Sequence, residues 1–294
     1  MEPRRLALEV QDRFPSLQAV KYRTIATGWE NLVLEINEEY IFRFPLFRGG
    51  WTRIQEEMVL LPWLSRELTF AVPNYEYIWP GSRRHPERFA GYRRIHGIPC
   101  TKGVFRKKWT TRLGGDLGHF ITELHNVRPP LTASSSIPKY NPKTWAGLRE
   151  KFYRRVRKLA YPLLDVQTRR KAEIFWEASL DQFSKANFEP VLIHSDLRGG
   201  NTIFDPKTGG LTGIIDWGHV AVADPALDFM GSFEINRHLG ERALESYGRG
   251  TSGFLERIEL YLKTVPFGEI VWGVQTGALR FTRMGLKHIR QQLI

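Results

Sequence analysis

Asp196, Asn201 and Asp216 are the side chains best suited to chemistry in this 294-residue chain. The first two belong to Val-Leu-Ile-His-Ser-Asp-Leu-Arg-Gly-Gly-Asn-Thr-Ile-Phe at 191–204, and the third to Gly-Ile-Ile-Asp-Trp-Gly-His at 213–219. Two short apolar runs, 191–193 and 211–215, predict strands that each deliver a polar cluster at the C-terminal end. Two carboxylates and a carboxamide gathered in this way suit phosphoryl transfer. That reaction asks a protein mainly for positioning and electrostatics: oxygen ligands for a divalent cation, and a carboxylate to take the acceptor hydroxyl's proton. Asp196 is placed to be the catalytic base. Asn201 offers a neutral carbonyl oxygen and Asp216 a charged one, a donor set that Mg2+ favours. Gly199 and Gly200 let the loop between base and ligand turn sharply. His194 reads as a brace for that loop.

Other elements must hold these residues and bring a nucleotide to them. A short helix over 2–14 precedes three strands, at 19–25, 32–36 and 40–44, which form an antiparallel meander. The first turn contains Gly28, whose backbone could cradle a phosphate; an ordinary hairpin fits it equally well. A helix over 52–68 carries an apolar stripe of Ile54, Met58, Leu61, Leu64 and Leu68. Glu57 falls inside that stripe, and a core-facing carboxylate needs a partner, for which Arg43 on the third strand is the natural choice. Glu56, about 100° round the helix, is the alternative. The pair either braces the structure or holds Arg43 against nucleotide phosphates. Strands are predicted at 73–79 and 90–95, and His96-Gly97-Ile98-Pro99 then interrupts the pattern. Helices follow at 113–124, 143–164 and 166–185, and beyond the central motifs at 228–239, 243–247, 253–262 and 269–293. The fold class is therefore α+β. The expected division is a strand-rich nucleotide-binding part, 1–95, and a mostly helical catalytic and acceptor-binding part, 96–294.

The net charge of +12 suggests nucleic acid until its distribution is read. Residues 83–112 and 139–171 each sum to +9, whereas 172–230, which contains the central motifs, sums to −6. An acidic functional segment within a basic exterior argues against phosphate-backbone binding, and the basic runs read as solvated helix faces. The single cysteine, Cys100, excludes an internal disulfide and a cysteine metal site. No signal-peptide pattern and no apolar run of about 20 residues is found, so a cytoplasmic protein is expected, as a monomer or weak dimer.

The paired motifs resemble those of the aminoglycoside phosphotransferases and their choline kinase-like relatives, which share the bilobal protein-kinase-like fold. In that family His-Gly-Asp is followed by Asn five residues after the Asp, and then by Ile-Asp-Phe/Trp. Ala-Asp-Pro-Ala-Leu-Asp-Phe at 223–229 and Tyr-Ile-Phe-Arg-Phe-Pro at 40–45 are similar to the aminoglycoside 2''- and macrolide 2'-phosphotransferases in particular. The resemblance implies ATP or GTP as co-substrate with Mg2+, Asp196 as base, and Asn201 and Asp216 as metal ligands. It sets Arg43 at the position of the phosphate-binding lysine and Glu57 at that of its helix partner. Tyr92, Ile95 and Gly97 fall in the linker that binds the purine edge through backbone groups. Asp228 would cap a helix and hold the loop after Asp216.

The implied acceptor is an aminoglycoside or a macrolide, with antibiotic resistance as the associated role; an ordinary metabolite alcohol is the alternative. Glu234 and Glu241 are candidate contacts for a cationic acceptor, and Tyr247, Phe254, Tyr261 and Trp272 for an apolar one. The global charge leans against a strongly cationic substrate. A non-catalytic nucleotide- or nucleic-acid-binding module is opposed by the presence of base and both ligands. A protein kinase is opposed by the lack of an Ala-Pro-Glu element and activation segment.

Overall fold

A computed structural model describes residues 2–18, 21–27, 31–130 and 136–293. Gly28 lies outside the described residues, as do the first two positions of the expected opening strand. Five antiparallel strands form the N-terminal sheet: β1 (Tyr22–Thr27), β2 (Asn31–Ile36), β3 (Tyr40–Pro45), β4 (Tyr75–Trp79) and β5 (Phe89–Arg93), in the order β1-β2-β3-β5-β4. One face is covered by α1 (Pro3–Arg13), which buries Leu6, Ala7 and Val10 against Leu34, Phe42, Phe44 and Phe89. Proline at the first turn suits that helix start, because its missing N–H has no intrahelical partner there.

Between β3 and β4 runs α2 (Arg48–Glu67). Its first half packs Trp51 and Ile54 against Ala90 of β5, while Leu60, Leu61, Leu64 and Leu68 join the core of the helical region. Glu57 sits near the change-over. The chain is tied down again just beyond α2: the Ala71 N–H donates to the Thr212 carbonyl (3.2 Å) and the Ile214 N–H to the Ala71 carbonyl (2.9 Å).

The helical region contains α3 (Thr110–Asn126), α4 (Pro142–Leu159), α5 (Val166–Lys185), α6 (Met230–Ile235), α7 (Arg237–Glu245), α8 (Phe254–Thr276) and α9 (Leu279–Leu293). Two small sheets are set into it. β7 (Val191–Ile193) pairs antiparallel with β10 (Ala221–Ala223), and β8 (Thr202–Phe204) lies between β6 (Ile98–Pro99) and β9 (Leu211–Ile214). The antiparallel sheet with a helical partner gives the α+β, kinase-like architecture that the motifs led us to expect.

Several boundaries differ from the sequence expectation. The helix predicted over 143–164 stops at Leu159 and continues as a 3-10 turn, Tyr161–Leu163. The stretch 228–239 is not one helix, because α6 ends at Asn236, whose side chain accepts the His238 and Leu239 N–H groups and caps α7. Conversely, α8 runs unbroken through Pro266 and ends at Gly277 in the left-handed conformation (φ 71°). The strands β6, β8 and β10, of two or three residues each, had no counterpart in the sequence reading.

Candidate active site

The two small sheets aim three loop segments at one place. β7 feeds the segment carrying His194, Ser195 and Asp196, the turn before β8 carries Asn201, and β9 runs into Asp216. Asn201 Nδ2 donates to the Asp196 carbonyl (2.8 Å) and to Asp196 Oδ2 (3.1 Å). The Ile215 N–H donates to the Asn201 carbonyl (3.0 Å), which joins the second motif to the first. Asn201 thus spends its NH2 group on Asp196 and keeps its Oδ1 for another partner. Ser195 (φ 63°) and Asp216 (φ 67°) both hold left-handed backbones, a conformation that costs a non-glycine residue about 1–3 kcal/mol and tends to cluster at functional sites.

Asp228 fixes the segment before Asp196 from behind. Its fully buried carboxylate accepts the His194 N–H (2.9 Å) and the Ser195 N–H (2.8 Å), and lies 3.2 Å from His125 Nε2. The expectation that Asp228 holds the loop after Asp216 is therefore corrected: it holds the loop before Asp196. The cap of the following 3-10 turn is Asp224, which accepts the Ala226 N–H (3.0 Å) and is buried against Arg257 and Tyr261. His194 Nε2 donates to the Ile215 carbonyl (3.2 Å) and Nδ1 accepts the Asp196 N–H (3.3 Å). That is the pattern of a neutral imidazole, and burial lowers the His194 pKa in agreement. Trp217 is buried behind the site with its indole N–H on the Ile214 carbonyl (3.0 Å).

Two glycines permit close approach rather than an unusual backbone. A Cβ at Gly231 in α6 would overlap the Leu197 carbonyl oxygen, and one at Gly199 would overlap that of Cys100. Gly199, read from sequence as a turn residue, is thus required by the packing of the loop on the chain just after β6.

Above the loop stands Arg43 on β3. Its Nη1 donates to Glu57 Oε1 (2.9 Å), Glu57 Oε2 (2.7 Å) and the Tyr75 hydroxyl (2.7 Å), while Nη2 reaches Asp216 Oδ1 (2.9 Å). Tyr75 in turn donates to Glu57 Oε2 (2.8 Å). Glu57, rather than Glu56, is thus the partner of Arg43. The side chains of Arg43 and Glu57 are 6% and 1% exposed against 43% for Asp216, so the pair is a buried clamp with one open end toward the metal candidate. Burial raises the Glu57 pKa, with Arg43 opposing. Arg43 is held charged well above its usual range, its burial outweighed by Glu57, Tyr75 and Asp216. Tyr75 is the residue that sequence reasoning missed, since strand alternation around 73–79 does not say which hydroxyl will meet which carboxylate.

Asp196 has 35% of its side chain exposed. Desolvation nevertheless raises its carboxyl above the ordinary aspartate range, against the pull of Arg198, His194 and His219. Arg198 Nε lies 3.8 Å from Asp196 Oδ1 and 3.4 Å from Glu234 Oε2. His219 contributes its carbonyl to the Ser195 hydroxyl and its Nε2 to Arg53 Nη1 (3.0 Å) on α2.

The linker residues sit beside a cavity of about 400 Å³ lined by Ala71, Asn74, Arg93, Arg94, Ile95, His96 and Thr212. The Tyr92 ring is buried edge-on against Tyr75 (centroids 5.5 Å apart), its backbone lies opposite Ile41, and Gly97 (φ 128°) closes the linker. Of the acceptor candidates, Glu234 reaches the Asp196 region through Arg198. Glu241 is engaged on α7 by Arg237 (2.8 Å) and His238 (3.1 Å). Tyr247, Phe254 and Tyr261 are core residues, and Trp272 is half-buried.

The site can be tested for a divalent cation. Among the described residues no group of three or more His, Cys, Asp or Glu side chains is arranged to hold one. Asp216 and the Asn201 Oδ1 offer oxygen donors of the kind that Mg2+ takes, usually with waters and phosphate oxygens completing its shell.

This arrangement, the Arg43–Glu57 pair on an antiparallel sheet above the loop of Asp196 and Asn201 on a helical body, is a kinase-like architecture. Residues 21–261 match the phosphotransferase enzyme family (APH), and the chain belongs to that family. It is accordingly a transferase of phosphoryl groups to hydroxyl acceptors. Solved structures agree on the fold. The GDP and kanamycin complex of APH(2")-IIia superposes with a TM-score of 0.84 at 23% identity, covering 98% of this chain and 97% of that one. The streptomycin–ATP complex of APH(2")-IIa gives 0.71 at 19%, covering 98% and 96%. Macrolide 2'-phosphotransferase MphH from Brachybacterium faecium gives 0.69 at 22%, covering 90% and 91%. Among the described residues no helix is long and apolar enough to cross a membrane.

Proposed function

We propose that the protein transfers the terminal phosphoryl group of ATP or GTP to a hydroxyl of a small antibiotic-like molecule, of the aminoglycoside or macrolide kind. The observation that carries this reading is the join between the two motifs: Asn201 turns its NH2 onto Asp196 while its backbone receives Ile215, so that base and ligands share one hydrogen-bonded frame. Asp196 takes the proton of the acceptor hydroxyl as its oxygen approaches the phosphorus. The neutral His194 and the Asp228 carboxylate fix the backbone on which Asp196 stands, so little reorganisation is needed at the moment of transfer. Asn201 and Asp216 hold Mg2+, which when bound neutralises charge on the phosphate oxygens. Arg43, aimed by Glu57 and Tyr75, presents the rest of its fork to the phosphates, and the backbone from Tyr92 through Ile95 to Gly97 takes the purine edge. In this reading residues 1–95 bind nucleotide and 96–294 carry catalysis and the acceptor, with Glu234 and Glu241 on the acceptor side.

The relatives with kanamycin and GDP, with streptomycin and ATP, and with macrolide activity support the reading by likeness of fold. It is tested by nucleoside diphosphate release with Mg2+ and ATP or GTP over a panel of aminoglycosides, macrolides and metabolite alcohols. Asp196→Ala should abolish release while nucleotide still binds. Asp216→Ala should abolish Mg2+-dependent nucleotide binding in calorimetry. Full turnover by the first variant, or unchanged affinity in the second, removes the assignment.

A further inference from the structure

Arg198 stands two residues beyond the proposed base. Its backbone is locked into the catalytic turn: its N–H donates to the Asp196 carbonyl (2.8 Å), and its carbonyl receives the N–H groups of Asn201 (2.9 Å) and Thr202 (3.1 Å). The side chain is 29% exposed, and its Nε lies between Asp196 and Glu234, at 3.8 and 3.4 Å. It thus occupies the place where an ammonium group of an acceptor would meet the acidic side chains next to the base. The neighbouring acid is engaged too. Glu269 of α8 is buried and pairs with His288 Nδ1 at 2.9 Å, with Arg198 and Glu234 among the charges that act on it. The carboxylates on this side therefore already have partners in the chain itself: Arg198 for Asp196 and Glu234, His288 for Glu269.

A polycationic acceptor entering here would have to displace the guanidinium from its two carboxylates, or sit against it. Like charges brought together at a binding surface are a common means of rejecting a partner. We infer that Arg198 sets acceptor specificity by closing the mouth of the site to clustered ammonium groups, and that the acceptor is a hydroxyl compound that is neutral, acidic or carries a single amine. This rests on the phosphotransfer reading and narrows it to the weakly charged side of the antibiotic-like acceptors.

The test separates the two claims. Affinities of kanamycin, a polycation, and of a macrolide with one amine are measured by calorimetry on the full chain with Mg2+ and a non-hydrolysable nucleotide. Wild type, Arg198→Gln and Glu234→Gln are compared. Wild type should favour the macrolide. Arg198→Gln should tighten kanamycin by about tenfold and the macrolide by less than about threefold, with the gain shrinking as salt rises. Glu234→Gln, which leaves the guanidinium only the more distant Asp196 carboxylate, should weaken kanamycin further. Kanamycin affinity that is unchanged or weaker in Arg198→Gln overturns the inference, as does failure of kanamycin to bind either protein. An equal effect on both acceptors also overturns it, because Arg198 would then act on the transferred group or merely brace the loop. The phosphotransfer reading fails on a different measurement, diphosphate release that persists in Asp196→Ala.

Discussion

Replacing Glu57 by glutamine probes the clamp with almost no change of shape. Both carboxylate oxygens accept from Arg43 Nη1, and Oε2 also accepts from Tyr75, so the substitution removes a charge and forces one acceptor to become an NH2 group facing donors. Breaking a buried ion pair from one side costs about 3–5 kcal/mol when the surviving ion is left alone. Arg43 is not left alone, because Asp216 remains 2.9 Å from Nη2. One charge-assisted hydrogen bond of that kind is worth about 1.5–3 kcal/mol, so the expected net loss of stability is about 2 kcal/mol. The guanidinium should then turn toward Asp216 and away from the phosphates. If a similar energy is withdrawn from nucleotide binding, the nucleotide KM rises by about 30-fold. Urea unfolding with matched slopes gives the first quantity, and diphosphate release at saturating acceptor gives the second. Stability within about 0.5 kcal/mol of wild type, the usual scatter for surface changes, together with a nucleotide KM within twofold, would refute the clamp as both brace and phosphate aligner. A cycle with Tyr75→Phe sharpens the result, since two residues on one guanidinium should show strongly non-additive losses.

Three other outcomes follow from the catalytic loop. Asp228→Ala leaves the buried His194 and Ser195 N–H groups without acceptors, at about 1–3 kcal/mol each, so a loss above about 3 kcal/mol in urea unfolding and a collapse of kcat are expected. Gly231→Ala drives a methyl into the Leu197 carbonyl and should cost about 1–3 kcal/mol, with a fall in kcat at nearly constant nucleotide KM. Burial raises the Asp196 pKa in the folded state, so its ionised form is disfavoured by folding and native stability is lost as pH rises through the window above the ordinary aspartate value. Asp196→Asn should therefore be inactive yet more resistant to urea than wild type at neutral pH. That advantage should shrink as pH falls through the window, and a variant less stable at neutral pH contradicts the argument.

What could be read from residues alone depended on how local the cause was. Arg43 and Glu57 were legible because a carboxylate inside an apolar stripe demands a cation, although Glu56 stayed open until the geometry placed Glu57 on Arg43. Asp196, Asn201 and Asp216 were legible from spacing in two clusters at strand ends. Tyr75 and Asp228 were not, for opposite reasons. The first contributes one hydroxyl across the sheet, and the second spans more than thirty residues to His194, so no periodicity reports either contact. Strands of two or three residues are too short to show alternation, which hid β6, β8 and β10. Pro266 misled in the usual direction: proline normally ends a helix, yet α8 passes through it, and the true stop is Gly277.

The attachment of Ala71 to β9 has a mechanical consequence. The chain passes between the N-terminal sheet and the helical body after α2 and again after β5, and the first passage is pinned by backbone hydrogen bonds on both sides of Gly213. A plate fastened at two points keeps one easy movement, rotation about the line joining them. Ile54 and Met58, on either side of Glu57, pack with Ala90 of β5, so Glu57 and Arg43 ride together with the plate while Asp216 stands on the helical body. Of the two ion pairs of Arg43, only the one to Asp216 therefore crosses from plate to body. A fluorescent or spin-label pair placed across β3 and the segment carrying Asp216 would show whether that separation changes as nucleotide enters.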